Sequence, residues 1–443
     1  MVKKNMVSVL VIIFFGFLVS GNFLGCVNRN QVLRIFNWED YMAPGIVKEF
    51  EQYYLEQTGK KIKVQTSGFA TNEQMYTQIA TKKVDFDLIV PSDYMVDRMI
   101  KEDLLMPIDH SIVYGTDGYR DIFDDSIVDV VENGYDKGLQ YSVPYMWGTV
   151  GILYDPVRGP ETLTSDVRSW ESVFGDKYKG RIYMQDSVVD AFAVASIVAN
   201  SEKLMSVANT DQHQDLVSKV INDTSPQNIQ AVREQLVRQR PNLLAYATDD
   251  ANDRMAIGNQ SSGFLAVVWS VQAGYAMADN QNLRYSVPDE GSNTWIDSFA
   301  ITKQARNVQA ANLFLKFINK SEIALQNMDY IGASTAVTQA REQYQEDIMQ
   351  ELYDLEEESG TDSDEYDFLK NYFDLLFPDK KVMGRVAAYQ DWGEARYNIN
   401  LMWIQVKSGG SDNDRFGGGV AIMLILFLLS ACGIAVQIIW NRR

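Results

Sequence analysis

The fold of this chain is most constrained by an alternation of strand-like and helix-like segments near its beginning. Residues 32–36 form an alternating apolar run that is typical of a strand, and apolar residues then recur at helical spacing from residue 46. The pattern continues with a strand at 61–66, a helix at 72–81 and a strand at 86–90. Strands separated by helices pair in parallel, because each helix returns the chain to the same edge of the sheet. The sequence therefore predicts an α/β fold with mostly parallel sheets flanked by helices.

Two later apolar segments predict that the chain passes twice between two lobes. Residues 141–154 have strand character on both sides of Gly148, and we place the first crossing there, near Pro144, and the return crossing at 285–291, near Pro288. The length of 443 residues also suits more than one domain. The expected lobes are lobe 1, residues 31–145 with 288–335, and lobe 2, residues 146–287 with 336–407. Two lobes joined in this way enclose a cleft that hinge closure can seal around a ligand.

Both ends of the chain carry apolar segments that predict attachment to a membrane. Residues 1–26 combine a basic start, an apolar stretch and a final Gly-Cys pair, which is the pattern of a lipoprotein signal peptide with Cys26 as the acylated residue. An uncleaved signal anchor is the alternative. A flexible linker, 408–419, precedes residues 420–440, which are apolar and long enough for a transmembrane helix. Basic residues flank both segments, so the positive-inside rule places the body on the extracytoplasmic side of the cell membrane.

The composition excludes several classes of function. The net charge of −19 argues against nucleic acid as a partner and favours cations. Cys26 and Cys432 both lie in the terminal segments, and the chain has only two histidines, so the sequence offers the body neither a disulfide nor a His/Cys metal site. The sequence contains no nucleophile–base motif and no phosphate-binding loop. We therefore expect a binding protein without cofactor or metal, with no catalytic residues.

Aromatic and polar residues recur where predicted strands end. These positions are 38–41, 92–94, 186–190, Trp269 and 295–297. In open α/β sheets ligands bind at the carboxyl ends of strands. Aromatic faces beside carboxylates suit an organic cation, to which each ring face contributes about 0.5–2 kcal/mol. The alternative is that these rings pack within the core or at the rim of the fold.

Five segments, in this order along the chain, resemble those of a known family. They are FNWEDYMAPG (36–45), FDLIVPSDYMVDRMIKEDLL (86–105), VPYMWGTVGILYDP (143–156), Trp269 after GFLAVV, and VPDEGSNTWIDSFAI (287–301). The likeness covers residues 32–407 and is to the extracytoplasmic polyamine-binding proteins that supply spermidine and putrescine to ABC importers. It implies a two-lobed periplasmic-binding-protein-like fold with a mixed, mostly parallel sheet in each lobe. It also implies a polyamine ligand and, as partners, permease subunits with a cytoplasmic ATPase.

The resemblance also implies a set of ligand-binding residues. Carried over position by position, they are Trp38, Glu39, Asp40, Tyr41, Ser92, Tyr94, Asp190, Trp269, Trp295, Asp297 and Gln390. In the family, carboxylates at the positions of Asp190 and Asp297 take the ligand nitrogens, while the rings form the walls of the channel.

Three positions depart from the family pattern. Ser187 stands where some relatives have a second acid, Gln272 stands where putrescine-selective relatives have an Asp, and Ala333 replaces a common Tyr. These departures leave open the choice between spermidine and putrescine. They also leave open two other functions: binding of another organic cation or amino acid, and a membrane-anchored sensor that signals through the C-terminal helix.

Overall fold

The computed structural model describes residues 29–116, 118–247 and 263–409, together with Met255. The predicted signal peptide with Cys26, the predicted span 420–440 and nearly all of the predicted linker lie outside these residues. In the described part of the chain, no helix is both long enough and apolar enough to cross a bilayer.

Twelve strands run through the described residues. They are β1 Val32–Trp38, β2 Lys63–Phe69, β3 Leu88–Ile89, β4 Leu105–Met106, β5 Ser142–Tyr154, β6 Ile182–Gln185, β7 Leu243–Ala247, β8 Leu265–Trp269, β9 Arg284–Ser286, β10 Ser292–Thr302, β11 Ser334–Thr335 and β12 Val386–Ala388. The hydrogen-bonded order is β2-β1-β3-β10-β5-β8-β6-β7. β1 pairs in parallel with β2 and β3, and β6 pairs in parallel with β7 and β8. The long strands β5 and β10 run antiparallel to each other between these two parallel groups.

The α-helices of the described residues lie between and after these strands. They are α1 Ile46–Thr58, α2 Asn72–Ala80, α3 Asp93–Lys101, α4 His110–Val113, α5 Asp125–Gly134, α6 Leu163–Asp166, α7 Glu171–Phe174, α8 Val188–Ala199, α9 Ser201–Met205, α10 Gln212–Ile221, α11 Pro226–Gln239, α12 Ser270–Asp279, α13 Val308–Ile318, α14 Ser321–Ile331, α15 Thr338–Ser359, α16 Asp364–Leu376, α17 Lys380–Met383 and α18 Arg396–Ser408. Short 3₁₀ turns occupy Arg29–Gln31, Tyr119–Asp121, Arg240–Asn242 and Gly393–Ala395.

The strand β5 belongs to both halves of the molecule, and β10 pairs along its first part. The first part of β5 pairs with β10, from Ser142 opposite Ala300 to Thr149 opposite Thr294. Its second part pairs with β8, from Val150 opposite Trp269 onward, and with β9. The predicted crossing near Pro144 is therefore the interior of one continuous strand, in which all thirteen residues are buried.

Local packing explains why the elements next to the cleft form. In α1 the residues Ile46, Phe50 and Tyr54 recur every four positions, and all three are buried. At the opposite face of the first sheet, Phe36 stacks on Phe86 with ring centroids 4.3 Å apart and meets the edge of Phe69 at 4.9 Å. These contacts fix the direction of β1 and so position the loop that follows it.

A second apolar cluster joins the C-terminal helices to the second parallel group. Leu352 of α15 and Leu375 of α16 are buried in the same cluster as Leu153 of β5 and Ala266 of β8. The acidic residues within 342–379 therefore lie on two helices whose inner faces pack against this cluster. The exact lobe boundaries stay a prediction.

Candidate functional site

Asp297 lies inside β10, where the pairing with β5 shifts register between Asp297 and Ser298. The expectation that residues 295–297 form a loop at a strand end was wrong: they belong to a strand, and a bulge rather than a strand end turns the carboxylate toward α3. The Ser92 hydroxyl donates a hydrogen bond of 2.6 Å to Asp297, and Asn72 donates one of 3.0 Å to the same hydroxyl. Burial raises the pKa of Asp297 to about 6, although the hydrogen bond from Ser92 and the nearby Tyr41 hydroxyl act in the opposite direction.

Asp190 lies in the first turn of α8, in the other half of the molecule. Its carboxylate accepts hydrogen bonds from Trp269 Nε1 (3.0 Å), the Tyr389 hydroxyl (2.8 Å) and Asn293 Nδ2 (3.2 Å). Burial raises the pKa of Asp190, and these donors oppose the rise. Ser187 caps the helix by accepting a hydrogen bond from the Asp190 backbone N–H. The residue that departs from the family pattern therefore holds the first turn of this helix.

Asp93 is a third buried carboxylate of the site, and the sequence analysis missed it. It is 0 % exposed at the first position of α3. Its Oδ1 accepts a hydrogen bond of 2.7 Å from the Tyr94 N–H, and its Oδ2 has no hydrogen-bond partner among the described residues. Burial raises the pKa of Asp93, and the neighbouring Asp297 and Asp190 raise it further. The one sequence signal was its place between two predicted contacts, Ser92 and Tyr94.

Aromatic rings form the walls beside these carboxylates. Trp295 pairs with Gly148 across β10 and β5, and a Cβ at Gly148 would lie only 2.6 Å from Cζ2 of the indole. The glycine therefore makes room for the ring. Trp38 packs on Phe69 with centroids 4.6 Å apart. Trp269, at the end of β8, is half-buried and donates to Asp190.

Several buried polar atoms near the carboxylates lack a partner among the described residues. They are Trp38 Nε1, the Tyr41 hydroxyl, Asp93 Oδ2, the Tyr135 hydroxyl, Trp295 Nε1 and the Ser298 hydroxyl. Buried polar groups in proteins are normally hydrogen-bonded, so a local group of exceptions requires an explanation. Burial raises the pKa of Tyr41 well above its usual range, and the charge of the nearby Asp297 carboxylate raises it further. This arrangement fits a site that a polar guest completes.

The remaining predicted residues lie at the margin. Glu39 and Asp40 are exposed in the turn after β1. The Tyr94 hydroxyl donates to Glu73 at 3.1 Å. The Gln390 side chain is exposed, and its backbone N–H donates to Asn222 at 2.9 Å.

The other two departures from the family pattern are buried. Gln272 is 5 % exposed in α12, and Ala333 is 1 % exposed just before β11. The structure thus brings Tyr41, Ser92 and Asp297 together on one side and Asp190 with Trp269 on the other.

The chain also matches known proteins. A family model described as bacterial extracellular solute-binding protein matches residues 45–351. The chain belongs to this family. Membership confirms the predictions of an extracytoplasmic solute-binding protein and of a binding protein rather than an enzyme.

Relatives of known sequence and structure agree with the membership. The spermidine/putrescine-binding periplasmic protein of Escherichia coli K12 is 29% identical over 327 residues, which cover 74% of this chain and 83% of that protein. The protein of the same name from Salmonella typhimurium is 30% identical over 329 residues, with 74% and 83% covered. A spermidine/putrescine ABC transporter substrate-binding protein from Streptococcus pneumoniae has a TM-score of 0.63 and 28% identity, with 85% of this chain and 99% of that chain covered. The two-lobed fold of solute-binding proteins is thereby confirmed for this member of the family.

Proposed function

We propose that this protein captures polyamines, spermidine or putrescine, in the cleft between its lobes and delivers them to an ABC importer. The observation that carries the proposal is the pair of buried carboxylates, Asp190 and Asp297, contributed from opposite halves of the molecule. A buried charge is unfavourable unless an opposite charge or several hydrogen bonds accompany it. In the described part of the chain, the hydrogen bonds to these two carboxylates come from neutral groups. A ligand with cationic nitrogens would supply the missing charge.

The aromatic residues suit the rest of a polyamine. Such a ligand is a chain of methylene groups that separates charged nitrogens, and the methylenes need flat apolar walls. Trp38, Trp269 and Trp295 provide such walls beside the carboxylates. A dissociation constant of 1 μM corresponds to about −8.2 kcal/mol. Two desolvated ammonium–carboxylate pairs with stacked rings are sufficient for that value after the costs of association.

The full set of ligand-binding residues remains that of the sequence prediction. We assign Trp38, Glu39, Asp40, Tyr41, Ser92, Tyr94, Asp190, Trp269, Trp295, Asp297 and Gln390 to ligand binding. Tyr389 is added to this set, because its hydroxyl holds Asp190 while the adjacent Gln390 side chain points to solvent.

Attachment to the membrane is part of the same proposal. Acylation at Cys26, a helix at 420–440, or both would hold the body near the permease subunits and their cytoplasmic ATPase. Lipid labelling of the wild type and of Cys26→Ser tests the first anchor. For the second anchor, a protease site is inserted in the 408–419 linker of the Cys26→Ser protein. Release of the body from the membrane on cleavage supports a helix at 420–440, and a body that is not membrane-bound before cleavage argues against it.

Calorimetric titration of the full-length protein in detergent tests the proposed ligand. We expect saturable binding of spermidine, putrescine or both with a micromolar dissociation constant. γ-Aminobutyrate serves as a control that carries an amine together with a carboxylate, and we expect no binding. Absence of both heat and thermal stabilisation with either polyamine would overturn the proposal and direct the search to amino acids and quaternary amines.

A further inference from the structure

Asp93 has no part in the function proposed so far, yet its environment requires an explanation. The carboxylate is fully buried, its Oδ1 accepts a hydrogen bond from the N–H of the next residue, and the Tyr389 backbone lies close enough to lower its pKa. Its Oδ2 has no partner within the described residues. An acidic residue at the start of a helix is ordinarily exposed and interacts with the helix dipole. A buried carboxylate with one unengaged oxygen is costly to keep in the empty protein.

The position of Asp93 is central to the site. The preceding residue, Ser92, forms a β-bridge with Asp297 and donates the 2.6 Å hydrogen bond to its carboxylate. On the opposite side, the backbone of Tyr389 lies against Asp93, and the hydroxyl of the same tyrosine donates to Asp190 at 2.8 Å. Asp93 therefore stands between the carboxylates that the two halves of the molecule contribute.

The three carboxylates are not arranged for a metal ion. In the parts of the chain that the structure describes, no group of three His, Cys, Asp or Glu side chains is close enough to hold one. Within the described residues, the hydrogen-bond donors to the three groups are a backbone N–H, hydroxyls, an indole and an amide. Negative charges distributed in this way match separate positive charges along one flexible ligand better than a single compact cation.

We propose that Asp93 binds one nitrogen of a triamine, so that three buried carboxylates serve three ligand nitrogens. The protein then prefers spermidine, which has three cationic nitrogens, to putrescine, which has two. A diamine leaves one carboxylate without a cation, and that carboxylate must stay protonated or unpaired. This inference rests on the proposed function, and it assigns the ligand preference that Ser187 and Gln272 left open.

The test is the Asp93→Asn substitution in the full-length protein, titrated with both polyamines. We expect the wild type to bind spermidine at least about tenfold more tightly than putrescine. The variant should lose at least about tenfold in affinity for spermidine and less than about threefold for putrescine. Asp103→Asn is the matched control. Asp103 follows the same helix, its side chain is 80% exposed, and the substitution removes the same charge. We expect it to bind as the wild type does.

A second measurement does not depend on the variant folding. 1,8-Diaminooctane has the length of spermidine but a methylene in place of the central nitrogen, so two cations face three carboxylates. We expect the wild type to bind it at least about tenfold more weakly than spermidine. Equal binding of the two, or an Asp93→Asn protein that folds and binds spermidine like the wild type, would overturn the role of Asp93 alone. If the wild type bound no polyamine, both the role of Asp93 and the proposed function would be wrong.

Discussion

Replacing Asp297 with Asn should weaken ligand binding while making the empty protein more stable. Asn has nearly the same shape as Asp, and its carbonyl oxygen can still accept the hydrogen bond that Ser92 donates at 2.6 Å. The substitution therefore removes the charge and little else. Removing one partner of a buried, hydrogen-bonded charge pair costs about 2–5 kcal/mol. Since each 1.4 kcal/mol is about a factor of ten, affinity for a polyamine should fall at least about thirtyfold.

The stability effect has the opposite sign. The pKa of Asp297 is about 6 in the folded protein, against an ordinary value of 3.8 for an aspartate. A raised pKa means that folding favours the neutral carboxyl, so the stability that this form contributes is present below about pH 4 and is lost as the pH rises through about 6. The difference corresponds to roughly 3 kcal/mol above pH 7. An Asn at position 297 is neutral at every pH, so the variant should avoid this loss.

Two assays separate these effects. Calorimetric titration at pH 7.5 measures the affinity, and thermal unfolding of the empty proteins at pH 4 and pH 7.5 measures the stability. We expect Asp297→Asn to raise the melting temperature over wild type at pH 7.5 but not at pH 4. The Asp103→Asn control should do neither. If Asp297→Asn bound polyamine within threefold of the wild-type affinity, Asp297 would not be a binding group. If the variant were less stable than wild type at pH 7.5, the buried carboxylate would not lower the stability of the empty protein.

Three further predictions address the surroundings of the site. Because the pKa of Asp297 is about 6 in the empty protein, wild-type affinity should fall about tenfold between pH 7 and pH 5, as measured by calorimetry in matched buffers; a constant affinity would contradict it. Gly148→Ala should destabilise the protein by about 1–3 kcal/mol in chemical denaturation and weaken binding, because its Cβ would overlap Ser270 Oγ and lie 2.6 Å from the Trp295 ring. An unchanged midpoint would show that both side chains move aside freely. Tyr389→Phe removes the 2.8 Å hydrogen bond to Asp190 and should weaken binding about three- to thirtyfold without changing the far-ultraviolet circular dichroism; wild-type affinity would show that Asp190 does not need this donor.

Local patterns in the sequence were sufficient for much of the first lobe. The predicted helix at 72–81 corresponds to Asn72–Ala80, and the strand predicted at 61–66 is Lys63–Phe69. The expected loop at 295–297 failed for a tertiary reason. Residues Ser292–Thr302 form one buried strand, and the shift in register after Asp297 depends on its pairing with β5, which no local pattern contains.

The site shows the same division between local and tertiary information. Tyr41, Ser92, Asp190 and Asp297 could be assigned by resemblance, because short motifs surround each of them. Asp93 could not, since an acid at the first position of a helix is unremarkable until the fold buries it. Gln390 stays a prediction from the resemblance, and only the three-dimensional contacts reveal that the adjacent Tyr389 holds Asp190.

The continuous course of β5 through both halves of the molecule, with β10 paired along its first part, limits how such a chain can change during evolution. Side chains along a strand alternate between its two faces, so one inserted or deleted residue moves every later side chain to the opposite face. In β10 a single insertion before Trp295 would shift the pairing that ends at Ser142 relative to the pairing at Thr149. Insertions and deletions should therefore accumulate in surface loops, while new ligand preferences should arise within these two strands by substitution alone.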